Sequence, residues 1–152
     1  CAVQAQEKKT DPVDELAVLL EPSRRVIYKT TPQKPLLLHV FEPEGFQKTD
    51  KRAAFVTIHG GGWRGGVPRR MFPFADYFAK LGMVGISVEY RLATQKPVPG
   101  GLTPFDCVHD VKSAIRYLKP MRRSLALIPK RSWSVVARRE AIWRWRRHCL
   151  MR

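Results

Sequence analysis

Ala53-Ala54-Phe55-Val56-Thr57-Ile58-His59 runs without a break into Gly60-Gly61-Gly62-Trp63. The first seven residues are almost all apolar, as a strand buried on both faces should be. The glycines that follow sit at its C-terminal end. Without Cβ atoms they let the backbone turn sharply into positive φ and let bare N–H groups come close to a ligand. Such groups can hold a developing negative charge, and losing one donor of that kind costs roughly 3 kcal/mol in a transition state. A plain tight turn or a phosphate-binding loop would also use three glycines. No Gly-Lys-Ser/Thr follows, which argues against a phosphate loop.

Outward from this stretch the pattern alternates. Upstream, Arg25–Thr30 and Leu36–Phe41 are short β-type runs around Thr31-Pro32-Gln33-Lys34-Pro35, a turn signal, and they predict an antiparallel pair at a sheet edge. Residues 7–23 are polar with one apolar patch, Leu16 to Leu20, and read as a short helix or a linker. Downstream, Phe74, Tyr77, Phe78 and Leu81 fall at i, i+3, i+4 and i+7 and predict the buried face of a helix, with Gly82 to end it. Met83–Tyr90 is a second buried strand. Thr103-Pro104-Phe105-Asp106 opens a helix with a threonine cap, a proline in the first turn and an acid three residues on. Val108, Val111, Ile115 and Leu118 give it an apolar face. Strands alternating with helices imply parallel βαβ units, so the expected fold is α/β.

Three segments in order then carry a resemblance: His59-Gly60-Gly61-Gly62-Trp63, Glu89-Tyr90-Arg91-Leu92, and Asp110-Val111-Lys112-Ser113-Ala114-Ile115-Arg116-Tyr117-Leu118. Over residues 24–119 the chain resembles the N-terminal half of an α/β-hydrolase. It is most similar to the HGGG-bearing esterases and lipases of the hormone-sensitive-lipase-like and feruloyl-esterase-like groups. The resemblance implies that Gly60 and Gly61 supply oxyanion N–H groups to a small-molecule ester. It also implies that Gly62 and Trp63 shape the acyl pocket wall and that Tyr90-Arg91 form a hydrogen-bond network behind the site. His59 would be a hydrogen-bonded structural residue and not the catalytic base. Neither cofactor nor metal is implied.

The family also needs Gly-x-Ser-x-Gly on a strand-to-helix elbow, then an acid and a histidine. No Gly-x-Ser-x-Gly occurs in the 152 residues, and no glycine occurs after Gly101. Ser113, Ser124, Ser132 and Ser134 have no elbow, and His109 and His148 have no plausible partners. The reading therefore expects no catalytic nucleophile, acid or base in this chain, and no activity from it.

Composition changes where the elbow should begin. Residues 121–152 hold ten Arg or Lys against one acid, Glu140, and three of the four tryptophans (Trp133, Trp143 and Trp145). Residues 1–120 carry 18 basic and 12 acidic groups, ordinary for a soluble domain. Arg/Trp enrichment without glycine is typical of a GC-rich gene read out of frame. When each codon is instead read from the third base of the preceding residue, codon degeneracy permits His-Ala-Ala-Lys/Glu-Leu-Gly-x-Asp-Pro-Lys-x-Ile-Val-Val from Met121. From Ser134 it permits Gly-Gly-Gly-Ser-Ala-Gly-Gly-His-Leu-Ala, with the serine codon overlapping Arg138. A loop, an apolar strand and a nucleophile elbow emerge in order. The expectation is a frameshift near Pro120, a truncated sheet and a disordered or irregular basic tail.

The chain accordingly divides into 1–23, a signal-peptide remnant and N-terminal linker or helix; 24–120, the N-terminal part of an α/β-hydrolase domain; and 121–152, the basic tail. Net charge of +15 would by itself suggest nucleic acid or an anionic membrane as partner. In Trp143-Arg144-Trp145-Arg146-Arg147 the residue types merely alternate, so no amphipathic face forms. The reading expects no specific nucleic-acid partner, though tail-mediated binding is the alternative function. No run of eighteen apolar residues exists, so no membrane-spanning helix is expected. Cys1, Cys107 and Cys149 are too few for a disulfide scaffold and have no zinc spacing. Val3-Gln4-Ala5 has small residues where an export peptidase acts, so an exported protein is expected. Cys1 then lies within a cleaved signal or bears a lipid; an arbitrary fragment start is the plain alternative. Oligomeric state and acyl-chain length are not legible.

Overall fold

The computed structural model describes residues 11–47, 49–94 and 99–121, and the backbone of 133–137. The signal-like residues 1–5, part of the loop after Leu92, and residues 138–152 of the basic tail lie outside the described residues. Helix α1 (Pro12–Leu19) precedes strands β1 (Arg24–Thr30), β2 (Pro35–Phe41) and β3 (Ala54–Ile58). A single 3₁₀ turn, Pro68–Met71, leads into α2 (Phe72–Lys80), followed by β4 (Val84–Val88), α3 (Pro104–Met121) and β5 (Trp133–Ala137). The sheet order is β1-β2-β4-β3-β5. β1 and β2 form the expected antiparallel pair at one edge, and β4 lies antiparallel to β2 and parallel to β3.

Two crossovers make the layers. The β3-to-β4 connection through α2 and the β4-to-β5 connection through α3 step in opposite directions along the sheet, so right-handed crossovers put the two helices on opposite faces. Leu36, Leu38, Val40, Ala54, Val56, Ile58, Val84, Ile86 and Val88 point to the α3 face and meet Cys107, Val111, Ala114 and Leu118. The alternate residues Phe41 and Gly85 face α2. Among the described residues no helix is long and apolar enough to cross a membrane.

Helix α2 is rotated from its expected orientation. Phe74, Tyr77 and Leu81 are 45%, 60% and 60% exposed, and Phe72, Ala75 and Ala79 are buried instead. The reason is Gly85. A Cβ on it would lie 2.0 Å from the Ala75 carbonyl oxygen, so the backbones of α2 and β4 touch and only small residues fit between them. Of the expected face, Phe78 alone turns toward the sheet, stacking on Phe55 at 3.7 Å between ring centroids.

β5 flanks the sheet on its other side: β4 is interior, and Trp133–Ala137, the described part of the tail, pairs in parallel along the outer side of β3 over five positions. Trp-Ser-Val-Val-Ala carries no charge and has two β-branched residues, which suits a strand.

Candidate active site

His59 directly follows the buried run of β3 and is itself 3% exposed. Behind it Tyr90, just past β4, stacks on the imidazole at 4.2 Å between ring centroids and 12° between planes. His59 Nδ1 lies 3.0 Å from the Gly60 carbonyl, so this nitrogen carries the proton and donates it. The Tyr90 hydroxyl then donates to the His59 carbonyl at 2.8 Å. Burial pushes the imidazole below its ordinary pKa, and the Gly60 hydrogen bond opposes this in part. A neutral, stacked ring with its Nδ1 proton committed is a support for the loop.

The glycines turn as their position requires. Gly61, Gly62 and Gly66 have φ of +129°, +59° and +91°, and the intervening Trp63 is held at +67°, a region costing a non-glycine residue on the order of 1 kcal/mol or more. The strain is sustained by the bonds around it. The amides of Arg64 and Gly65 donate to the Gly61 carbonyl, and the Ala93 amide donates to the Trp63 carbonyl at 2.7 Å. Cys107 Sγ–H also points to that carbonyl at 3.7 Å, and the Trp63 ring meets Tyr90 edge-on. Gly61 and Gly62 stay exposed at the tip. Gly65-Gly66, which sequence reasoning passed over, closes the loop: a Cβ on Gly66 would lie 2.2 Å from the Gly60 carbonyl and 2.6 Å from His59 Nδ1. Gly66→Ala is expected to cost about 2 kcal/mol by urea denaturation, because positive φ and a backbone clash coincide. A second glycine pair five residues after the first was the available signal.

Arg91 anchors the next layer. Its Nε and Nη2 grip Asp110 of α3 at 2.7 and 2.9 Å, and its own amide reaches the same carboxylate at 3.3 Å. Lys29 of β1 adds a second cation at 2.7 Å. The β1–β2 register shifts between Ile27 and Lys29, and this bulge lets Tyr28 and Lys29 both serve the α3 face. Tyr28 hydroxyl donates to the Glu89 carbonyl at 2.6 Å. Asp110 is fully buried; burial pushes its pKa up, yet hydrogen bonds from Arg91 and Lys29 outweigh that and leave it below the ordinary value. Sequence reasoning missed Asp110 as a site-supporting residue. Its position one residue before Val111, inside the apolar face of α3, was the signal.

The structure thus brings His59, Gly60, Gly61, Gly62, Trp63, Tyr90 and Arg91 together at the C-terminal ends of β3 and β4. Beside them, Ala137 of β5 is registered with Ile58, so β5 ends level with the start of the glycine loop. The described serines with side chains stand elsewhere: Ser23 accepts from the Glu42 amide, Ser87 donates to the Pro68 carbonyl, and Ser113 donates back to His109 O within α3. Among the described residues no group of three His, Cys, Asp or Glu could hold a metal ion.

A family model for the BD-FAE domain, an α/β-hydrolase esterase family, matches residues 38–131, more than half of the chain. The chain belongs to the BD-FAE family. Solved structures carry the same fold as this BD-FAE chain. Est2, a thermophilic esterase from the Planctomycetes species Thermogutta terrifontis, matches in its propionate-bound form with a TM-score of 0.64 and 33% identity, over 75% of this chain and 39% of that one. Its butyrate-bound form matches with the same TM-score and identity, over 38% of its length. The esterase phosphorylated by paraoxon does so as well, over 41% of its length. The BD-FAE chain therefore spans about two-fifths of the length of these esterases. No curated protein matches it.

Proposed function

We propose that the gene for this chain derives from a carboxylic-ester hydrolase working by serine acyl-enzyme chemistry, and that these 152 residues hold its oxyanion half without its nucleophile. The observation that carries the reading is the pairing of Ala137 with Ile58. In the shifted frame the serine codon of Gly-Gly-Ser-Ala-Gly overlaps Arg138, the next residue. A serine there would directly follow a strand that ends beside the residue before His59 and the glycine loop. Acyl transfer needs a nucleophile and oxyanion donors converging on one carbonyl, each about 3 Å from its reacting atom.

In the frame-restored enzyme the serine attacks an ester carbonyl while a histidine, oriented by an acid, takes its proton. Both lie in the portion that this chain does not supply. The amides of Gly60 and Gly61 hold the oxyanion, Gly62 and Trp63 wall the acyl side, and the His59–Tyr90 stack fixes the loop. The substrate class is a small carboxylic ester.

The 152-residue chain is expected to show no turnover of a short p-nitrophenyl ester above the buffer rate. Turnover abolished by a substitution in residues 121–152 contradicts this. Because the family match runs past Pro120 to residue 131, the DNA should be read from codon 110 to codon 140. An unambiguous single frame whose shifted reading cannot encode Gly-x-Ser-x-Gly ends the frameshift proposal.

A further inference from the structure

His39 stands in the middle of β2 on the face opposite α3. It is 7% exposed, and neither ring nitrogen has a hydrogen-bond partner among the described residues. Its sheet neighbours are Arg25 of β1 and Ser87 of β4. Phe72, at the start of α2, covers it at 5.1 Å between ring centroids. Ser87 does not serve it, because the Ser87 hydroxyl is committed to the Pro68 carbonyl at 2.8 Å. The imidazole therefore lies under the joint where the 3₁₀ turn Pro68–Met71 meets α2.

That joint is strapped from outside by α1. Arg69 reaches Glu21 at 2.9 Å and the Val18 carbonyl at 3.1 Å, and Arg70 reaches Asp11 at 3.0 Å and Asp14 at 2.9 Å. All five ion-pairing groups are more than a third exposed, so each pair is weak. Leu20 packs against the cluster of Phe41, Phe72, Ala75 and Ala79, and Phe72 of that cluster is the residue that covers His39.

We propose that His39 is an acid-sensitive latch: neutral, it lets α1 and the turn Pro68–Met71 close over the sheet, and protonated, it opens them. A proton on the buried ring has no acceptor. The charged groups around it are Arg25 of β1, Arg69 of the turn, Glu21 before β1 and Glu89 after β4. Burial is the largest influence and keeps the ring below its ordinary pKa; the two arginines add to this, and Glu89 and Glu21 oppose it. The closed form thus binds the proton less well than the open form. Its advantage is whole above pH 6.5, the ordinary value, and is lost as pH falls from there toward the lower closed-state value. The turn directly follows the glycine loop, so the latch sets how firmly that loop is held on its C-terminal side. The inference stands independently of the esterase reading.

Amide hydrogen exchange of the full chain tests it, corrected for the intrinsic pH dependence. Protection in peptides spanning residues 12–19 and 68–75 is expected to fall by up to about fivefold between pH 6.5 and 5.5. Peptides within α3 respond less, and His59, also buried, acts away from the strap. His39→Leu removes the unpartnered nitrogens and should keep protection constant within twofold over this range, without loss at pH 7. Wild-type protection that does not change, or an equal fall in His39→Leu, overturns the latch. If the leucine variant does not fold, the C2-proton exchange of His39 in the wild type decides: half-exchange at pH 6.5 or above overturns the proposal, and a lower midpoint supports it.

Discussion

Asp110→Ala is expected to lower the stability of this chain by about 3–5 kcal/mol, the range for removing one member of a buried ion pair. The carboxylate is fully buried and is gripped by Arg91 and Lys29. Arg91 is only 14% exposed, so truncating Asp110 strands a guanidinium between β4 and α3 with nothing to neutralise it. Three elements lose their common anchor at once: β1 through Lys29, the segment after β4 through Arg91, and α3 itself. Arg91 adjoins Tyr90, which holds the His59 carbonyl, so the damage should reach the glycine loop. Urea denaturation measures the loss; a cost under about 1 kcal/mol would mean that the cluster is solvated like a surface pair. The same residue sets a pH dependence. Its folded pKa is depressed, so the stability it gives is present above the ordinary carboxylate value of 3.8 and is lost as pH falls below that toward the folded value.

Gly85→Ala should be nearly as damaging, about 3 kcal/mol, at the top of the usual range for overpacking. The added methyl would sit 2.0 Å from the Ala75 carbonyl oxygen, 2.6 Å from its carbon and 2.9 Å from its Cα. All three atoms are backbone, so no rotamer change relieves the clash and α2 must lift from β4. Lifting α2 also disturbs Phe72 and the turn before it. A double variant pairing Gly85→Ala with Ala75→Gly should recover almost nothing, because the obstructing atoms are main chain and not the Ala75 side chain. Recovery of most of the loss would contradict this account of the contact.

The misreading of α2 follows from the same contact. Large apolar residues at i, i+3, i+4 and i+7 ordinarily mark a buried stripe, and Phe74, Tyr77, Phe78 and Leu81 fit that rule. The spacing between helix and sheet, set by a bare glycine on the partner strand, selected Ala75 and Ala79 instead. Nothing local to the helix records that spacing. β3 and β4 were legible because an unbroken apolar run bounded by glycines leaves little choice, and the β1–β2 hairpin because its turn carries two prolines. Strand order was less accessible: the insertion of β4 between β2 and β3 is a tertiary outcome. Asp110 entered only as part of a resemblance segment and not as a site residue, because a charge inside an apolar helix face becomes informative only when its cations are known. They arrive from far away in sequence, Lys29 by way of a bulge that no composition rule announces. The glycine loop was legible in Gly60, Gly61 and Gly62, while Gly65-Gly66, which let the loop fold back on itself, were overlooked.

The account rests on the loop after β3 having been built to hold an oxyanion beside a serine at the end of β5. Its most direct test is the initial rate of short p-nitrophenyl ester hydrolysis by the frame-restored protein, measured beside the same protein carrying Gly61→Ala, whose Cβ would lie 2.2 Å from the Gly65 carbonyl and displace the loop. The prediction is clear turnover by the restored protein and a fall of about 10²–10³ in kcat for the variant. A folded restored protein that hydrolyses no ester, or one whose kcat is unchanged by Gly61→Ala, would contradict it.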